Sequence, residues 1–286
     1  MRSFALVLSG GGARGFAHLG VLRALEHVGA RPSAVVGVSM GGAVGTIHGM
    51  RTDWYEATLG LRLPEIGDAA RPRLPGRQLW SALRTAVTLL FSFGPGTRVR
   101  ESALRELRRV IGDGDLRDTR IPVWLAATDL LSGKRVTLRE GSAVENVYAS
   151  AALAGVVPPL PRGDLLLADG AYADVAPVDL ARALAPDVVI AVDAGPSDHP
   201  PELRNGYQVA MRAIDICHRR HAELRFAAAD LVLRPRFLRE VDTLDFAARR
   251  ECVAAGIRAV RAARGAIAVL LGDGADPTPQ STGVLL

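Results

Sequence analysis

Two apolar runs of five, Phe4-Ala5-Leu6-Val7-Leu8 and Ala34-Val35-Val36-Gly37-Val38, frame the first forty residues. Short runs that are apolar at every position predict strands buried on both faces. Between them Leu19, Leu22, Leu25 and Val28 recur at every third position, the apolar face of a helix over 15–28 that Gly29 ends. A second helix, built of small residues, is predicted from Met40 to about Met50. Strand, glycine turn, helix, strand, sharp turn, helix is a parallel βαβα arrangement.

The middle of the chain is less regular. Three prolines and two glycines over 64–76 predict a loop. Leu79, Trp80, Leu83, Val87, Leu90, Phe91 and Phe93 then follow at roughly helical spacing, an apolar stripe suited to a lid or an interfacial anchor within an insertion over 64–97. Over 99–111 an arginine-rich helix turns Leu104, Leu107 and Ile111 inward. Further strands are predicted over 121–127, over 135–138, over 165–167 leading to Asp169, and over 188–192 leading to Asp193. Helices are predicted over 142–154 and 178–184. Leu203, Tyr207, Met211, Ile214, Cys217, His221 and Leu224 mark one late helical face, and Leu244, Ala248, Cys252, Ala255 and Ala259 another. A strand at 230–233 lies between them. The tail, 272–286, is rich in Gly, Pro, Ser and Thr and reads as flexible. With no repeat and no clear linker, the pattern predicts one α/β domain over 1–271, three layers α/β/α around a mostly parallel sheet.

Composition supports this picture. Of 286 residues, 49% are hydrophobic and 23% charged, enough apolar material for one large core and incompatible with disordered, collagen-like or coiled-coil chains. The formal charge is +5, and all the basic residues but Lys134 are arginine. That excess is too mild to argue for nucleic acid, but it suits peripheral contact with an anionic membrane surface. Cys217 and Cys252 fall on apolar helical positions, as buried thiols in a reducing compartment would. The apolar run after Met1-Arg2 stops at Ser9, too early for a signal peptide, and no stretch reaches the length of a membrane span. A soluble, cytoplasmic protein able to rest on a membrane is expected. No Cys/His cluster has ligand spacing, so no metal and no cofactor is expected.

Two glycine-rich turns carry the candidate chemistry. Ser9-Gly10-Gly11-Gly12-Ala13-Arg14-Gly15 follows a strand and opens a helix, where bare backbone N–H groups and the helix dipole suit an anion. Gly10, Gly12 and Gly15 also match G-x-G-x-x-G, the dinucleotide pattern of a Rossmann-type oxidoreductase, but the next strand lacks the acidic residue that would hold the ribose. It ends instead in Gly37-Val38-Ser39-Met40-Gly41, a G-x-S-x-G between a buried strand and a small-residue helix. In that setting the motif is a nucleophile elbow. The serine supplies an attacking oxygen, and the glycine loop supplies donors for a tetrahedral oxyanion.

A serine hydroxyl needs a proton acceptor. Of six histidines, His18 and His27 lie in the first helix, His48 is too far along the second, and His218 and His221 fall on a late helix, His221 on its apolar face. His199 is the one histidine placed after a strand, in a surface-like loop. Among the acids Asp169, followed by Gly170, ends a short buried strand at the edge where open α/β sheets bind ligands, and Asp129 and Asp193 also end strands. These four stay open on the residues alone.

Gly10-Gly11-Gly12-Ala13-Arg14-Gly15, Gly37-Val38-Ser39-Met40-Gly41 and Asp169-Gly170-Ala171, in this order and spacing, resemble the patatin-like phospholipase family. The resemblance extends through His18-Leu19-Gly20-Val21-Leu22, Ala127-Thr128-Asp129-Leu130, Ala149-Ser150-Ala151-Ala152 with Pro158-Pro159, and Pro177-Val178-Asp179, and the catalytic motifs span 8–194. It implies a Ser39–Asp169 dyad without histidine, an oxyanion hole from Gly10, Gly11, Gly12 and Ala13, and supporting places for Arg14, Gly15, Gly37, Gly41 and Gly170. The implied function is hydrolysis of a lipid or small ester, with a catalytically weak lipid-binding relative as the alternative. Two departures, Ala154 where many relatives have proline and Tyr172-Ala173-Asp174 where a Gly/Asn turn is common, lie beside the implied pocket.

Overall fold

A computed structural model describes residues 1–62, 96–195, 199, 203 and 206–272. Its centre is a sheet in the order β5-β6-β3-β2-β1-β7-β8, with β4 pairing with β3 off this path. The strands are β1 (Phe4–Leu8), β2 (Ala34–Val38), β3 (Val123–Asp129), β4 (Arg135–Leu138), β5 (Leu160–Arg162), β6 (Leu165–Asp169), β7 (Val188–Val192) and β8 (Leu231–Leu233). The five strands from β3 to β8 along that order are parallel to one another, whereas β4 and β6 run antiparallel to β3, and β5 antiparallel to β6.

The two faces of the sheet differ in bulk. Strand alternation sends Phe4, Leu6 and Leu8 of β1 to one side, with Val35, Leu125 and Ile190. They pack against α1 (Ala17–His27), α2 (Met40–Met50), α5 (Ala143–Ser150) and α8 (Arg249–Ala262). Ala5, Val7, Val36, Val38, Ala126 and Ala191 face the other side, under α6 (Val178–Ala183) and the inner end of α7 (Gly206–Phe226). The remaining helices are α3 (Trp54–Leu59), α4 (Gly96–Ile111) and α9 (Arg264–Leu271). The layers are thus α/β/α, as the hydrophobic pattern predicts.

β1, β2, α2, β4 and β7 have the predicted bounds. Elsewhere the structure corrects the expectation. The first helix begins as a 3₁₀ turn over Gly12–Phe16 before α1 starts, because the glycine loop winds more tightly than an α-helix. β3 starts two residues later than expected, after Pro122, which lacks the N–H a ladder needs. α5 ends at Ser150 rather than at 154. α3, β5 and α9 were not predicted; the first two have only six and three residues, too few for periodicity to register.

The late helix α7 forms, and its predicted apolar face is right in part, since Met211 and Ile214 turn to a cavity. Leu224 is 77% exposed and Cys217 is exposed. His221 is half-buried, while Ala222 and Phe226 are buried. The burial stripe is set by a cavity that α7 borders, so mixed side chains such as Asp215 and His218 face inward. Of the two thiols expected to be buried, only Cys252 is. The predicted 79–93 stripe and the 273–286 part of the tail lie outside the described residues. Among the described residues no helix is long and apolar enough to cross a membrane.

Leu6 is fully buried on the bulky face of central strand β1. Leu6→Ala is expected to cost about 2–5 kcal/mol of unfolding free energy, through lost transfer energy and the cavity left behind. Urea denaturation followed by circular dichroism measures it.

Candidate active site

The elbow is strained where the sequence predicts. Ser39 has φ 55° and ψ −125°, and among the described residues only Ser39 and Ala185 are non-glycine residues with positive φ. Such a conformation costs on the order of 1–3 kcal/mol and persists only where surroundings enforce it. Here the Ser39 N–H donates to Ser150 Oγ (3.0 Å), whose own hydroxyl donates to the Ala126 carbonyl (2.7 Å). Gly41 allows the close crossing behind the turn, since a Cβ there would lie 2.3 Å from the Leu8 carbonyl oxygen. Gly37 abuts Gly42, Gly15 abuts Met40, and Gly170 abuts the Ala126 carbonyl, each at contact distances too short for a Cβ.

Asp169 reaches Ser39 by register rather than by strand direction. Val38 of β2 pairs with Ala126, and the next residue of β3, Ala127, pairs with Asp169. Since β6 is antiparallel, its carboxyl end does not belong to the common carboxyl edge of the parallel strands. The longer β3 carries it level with the end of β2. Ser39 Oγ donates to Asp169 Oδ2 at 2.6 Å, across 130 positions of chain.

Asp169 is held through both its side chain and its backbone. Oδ1 accepts the Ala171 N–H (2.9 Å), the Asp169 N–H donates to the Ala152 carbonyl (3.0 Å), and the Asp169 carbonyl accepts Thr128 Oγ1 (2.8 Å). Asp169 is 3% exposed. Burial pushes its pKa up to about 6, while the hydrogen bonds from Ser39 and Ala171 pull the other way. The group is therefore a stronger base than an exposed aspartate, yet ionised at neutral pH.

The glycine loop lies beside this pair. Gly10 N–H is engaged with the Val175 carbonyl (3.2 Å) and Ala13 N–H with the Thr243 carbonyl (2.8 Å). Those of Gly11 and Gly12 have no acceptor among the described residues. Gly12 is left-handed (φ 55°), and a Cβ there would lie 2.3 Å from the Thr243 carbonyl oxygen, so only glycine fits. Arg14, 2% exposed, pairs with Asp215 at 3.1 Å.

The other candidate bases have other partners, although Asp193 and His199 line the same cavity as Ser39 and Asp169. Asp129 caps its own turn, accepting the Leu131 and Ser132 N–H groups, the Ser132 hydroxyl and the Leu166 N–H, which hold its pKa low. Asp193 accepts the Gly195 N–H and lies 3.6 Å from Arg234. His199 Nε2 contacts the Phe237 carbonyl at 3.0 Å. Sequence reasoning passed over Ser9 and His18 as supports. His18, fully buried, has Nε2 at 2.8 Å from the Ser9 carbonyl, and burial lowers its pKa to about 4, so it stays neutral. Ser9 Oγ accepts the Ala194 N–H and ties the loop to the end of β7. Only the distance of Ser9 and His18 from the motif glycines, one and three positions, could have marked them.

Ser39 and Asp169 open into a cavity of about 1460 Å³. Its walls are largely apolar, with Met40, Val147, Leu153, Val157, Met211 and Phe237, and Arg62, Arg98 and Arg105 also line it. Among the described residues no three His, Cys, Asp or Glu side chains are grouped to hold a metal ion.

The sequence profile described as patatin-like phospholipase matches residues 6–182, a span that holds both turns and Asp169. The chain belongs to the patatin-like phospholipase family. Membership sets aside the dinucleotide reading of the glycine loop. Similar proteins include human patatin-like phospholipase domain-containing protein 6, 33% identical over 202 residues, and lysophospholipase nte1 of Aspergillus fumigatus, 32% identical over 203. The matches cover 68% and 71% of this chain but only 14% and 12% of those proteins. Among solved structures, VipD from Legionella pneumophila shares the fold, with a TM-score of 0.51 at 15% identity over 93% of this chain and 67% of that one. Within the patatin-like fold, the sequence motifs and the 2.6 Å contact meet at one end of the sheet.

Two outcomes follow from this geometry. Gly41→Val is expected to give little or no folded protein, since its Cβ would overlap the Leu8 backbone, as expression yield and circular dichroism would show. Ionising a buried carboxyl costs stability. Because the folded pKa of Asp169 is raised, its contribution is fully present below pH 4 and declines as pH rises through about 6. Asp169→Asn is expected to raise the melting temperature at pH 7.5, with the difference shrinking toward pH 4.

Proposed function

We propose that the protein is a serine hydrolase that cleaves carboxylic esters of lipids, of the lysophospholipase or phospholipase A type or a carboxylesterase, through an acyl-enzyme. The observation that carries this reading is the 2.6 Å hydrogen bond from Ser39 Oγ to a buried carboxylate, with no histidine between them. Asp169 takes the hydroxyl proton as Ser39 Oγ attacks the ester carbonyl. The developing oxyanion accepts hydrogen bonds from the Gly11 and Gly12 N–H groups, whereas Gly10 and Ala13 act by holding the loop in place through their own bonds. Collapse of the tetrahedral intermediate expels the alcohol, which receives the proton from Asp169. Water, deprotonated by the same carboxylate, then attacks the acyl-enzyme and releases the acid and Ser39.

The cavity supports a lipid substrate. Its apolar walls suit an acyl chain, and the arginines among its lining suit an anionic headgroup. The lysophospholipase name of a relative agrees with this choice. An ester of moderate chain length or a lysophospholipid is the preferred substrate, met in the cytoplasm or at an anionic membrane surface.

Labelling with a fluorophosphonate probe tests the nucleophile. Wild type should label and Ser39→Ala should not; labelling that survives in the alanine variant would sink the assignment. Asp169→Asn should lower kcat for p-nitrophenyl esters by roughly 10³-fold or more. In wild type, kcat/KM should fall about tenfold per pH unit below about pH 6, because protonated Asp169 cannot accept the hydroxyl proton. A protein that binds fatty acid yet hydrolyses none of a panel of esters and lysophospholipids would be the lipid-binding alternative.

A further inference from the structure

The proposed oxyanion donors, Gly11 and Gly12, belong to a loop of bare backbone. With no side chains of their own, they depend on neighbours for position. Arg14, two residues beyond, is buried, and its guanidinium has three acceptors from outside the loop. One terminal nitrogen donates to the Val241 carbonyl (3.0 Å), and the other to Asp215 (3.1 and 3.3 Å) and to Thr243 Oγ1 (3.3 Å). The 241–243 segment grips the loop a second time through the Thr243 carbonyl, which accepts the Ala13 N–H. Asp215 comes from α7, a different element, whose Met211, Ile214, His218 and Ala222 line the cavity. It is the one carboxylate with which Arg14 forms an ion pair among the described residues.

We infer that Asp215, through Arg14, is a positioning residue for the oxyanion hole, holding the Gly11 and Gly12 N–H groups where charge develops. This role rests on the reading of those two groups as oxyanion donors. The physical case is the placement of the charges. A buried guanidinium without its carboxylate is costly, so the loop would shift to rehydrate it or to find another acceptor. A donor displaced from the oxyanion loses most of its effect on the transition state, whereas substrate binding is spread over the many apolar groups of a cavity wall of which Asp215 is one polar member, so the loss falls on kcat. Asp215 also ties that loop to the helix that walls the cavity, linking the two parts of the site through one ion pair.

The test is a set of variants at Asp215 and Thr243, assayed on p-nitrophenyl butyrate. Asp215→Asn is expected to lower kcat 10- to 100-fold with KM within about twofold, to leave the acid limb of the pH profile where it is in wild type, and to label more slowly with fluorophosphonate. Asp215→Glu should restore a large part of kcat, because it returns the charge. Hydrogen exchange by mass spectrometry should show faster exchange over residues 10–14 in Asp215→Asn, a readout that does not depend on turnover. If Asp215→Asn does not fold, Thr243→Val, which removes one acceptor and keeps the backbone carbonyl, should still lower kcat several-fold and loosen the same amides. A folded variant with unchanged kcat and unchanged exchange over 10–14 would overturn the inference, as would a change in KM alone. If wild type turned over no ester, the hydrolase reading would fail, and unchanged exchange would then overturn the clamp as well.

Discussion

One hydrogen bond organises the site: that of a serine hydroxyl to a carboxylate withdrawn from water. Neither group would be unusual alone at the surface. An exposed aspartate is too weak a base for a hydroxyl, and an isolated buried one would be held protonated. Asp169 sits between these limits because desolvation raises its pKa while the Ala171 N–H and the Ser39 hydroxyl restrain the rise. The rest of the architecture serves that balance. Thr128 and the Ala152 carbonyl fix the backbone of Asp169, and Ser150 fixes that of Ser39.

The contrast between the two faces of the sheet has a consequence for the site. Large side chains fill the layer toward α1, α2 and α8, and that face supplies the bulk of the core. The other face is lined by alanine and valine, so chain segments approach the sheet closely there. Val175 belongs to that layer, and its carbonyl engages the Gly10 N–H. Tight backbone contacts of this kind, rather than side-chain packing, hold the glycine loop and the elbow side by side.

Ion pairs do a different job at the periphery of the site. Asp174, buried and five residues after Asp169, is bracketed by Arg135 of β4 and Arg225 of α7, both of which also reach Asp179 of α6. The four charges tie the chain that follows the candidate base to the outer strands and helices. Arg14 and Asp215 play a comparable part under the glycine loop. In both cases a charge is taken out of water only where several partners of the opposite polarity meet it, donors around Asp174 and acceptors around Arg14, since an unpaired buried charge would be intolerable.

Part of this architecture is legible in the order of residues. Continuous apolar runs marked β1, β2 and β7, because a strand covered on both faces admits no polar position. Gly37-Val38-Ser39-Met40-Gly41 marked the elbow, because a serine at positive φ needs glycines where the backbone crosses. The face of α7 is legible only in part, Met211 and Ile214 but not Cys217 or Leu224, for the same reason that the others are legible. Periodicity reports burial in a core, and α7 borders a cavity whose lining mixes charged and apolar residues. The residue pattern left open which acid meets Ser39; the motif resemblance pointed to Asp169, and the tertiary structure supplies the physical reason. Asp129, Asp169 and Asp193 all end strands, and only the pairing of β6 with the long β3 brings one of them to the hydroxyl, a register that depends on contacts far apart in the chain. Tertiary structure also decided which loop amides stay open, since the acceptors that claim Gly10 and Ala13 come from Val175 and Thr243, more than 150 positions away, where no local pattern could announce them.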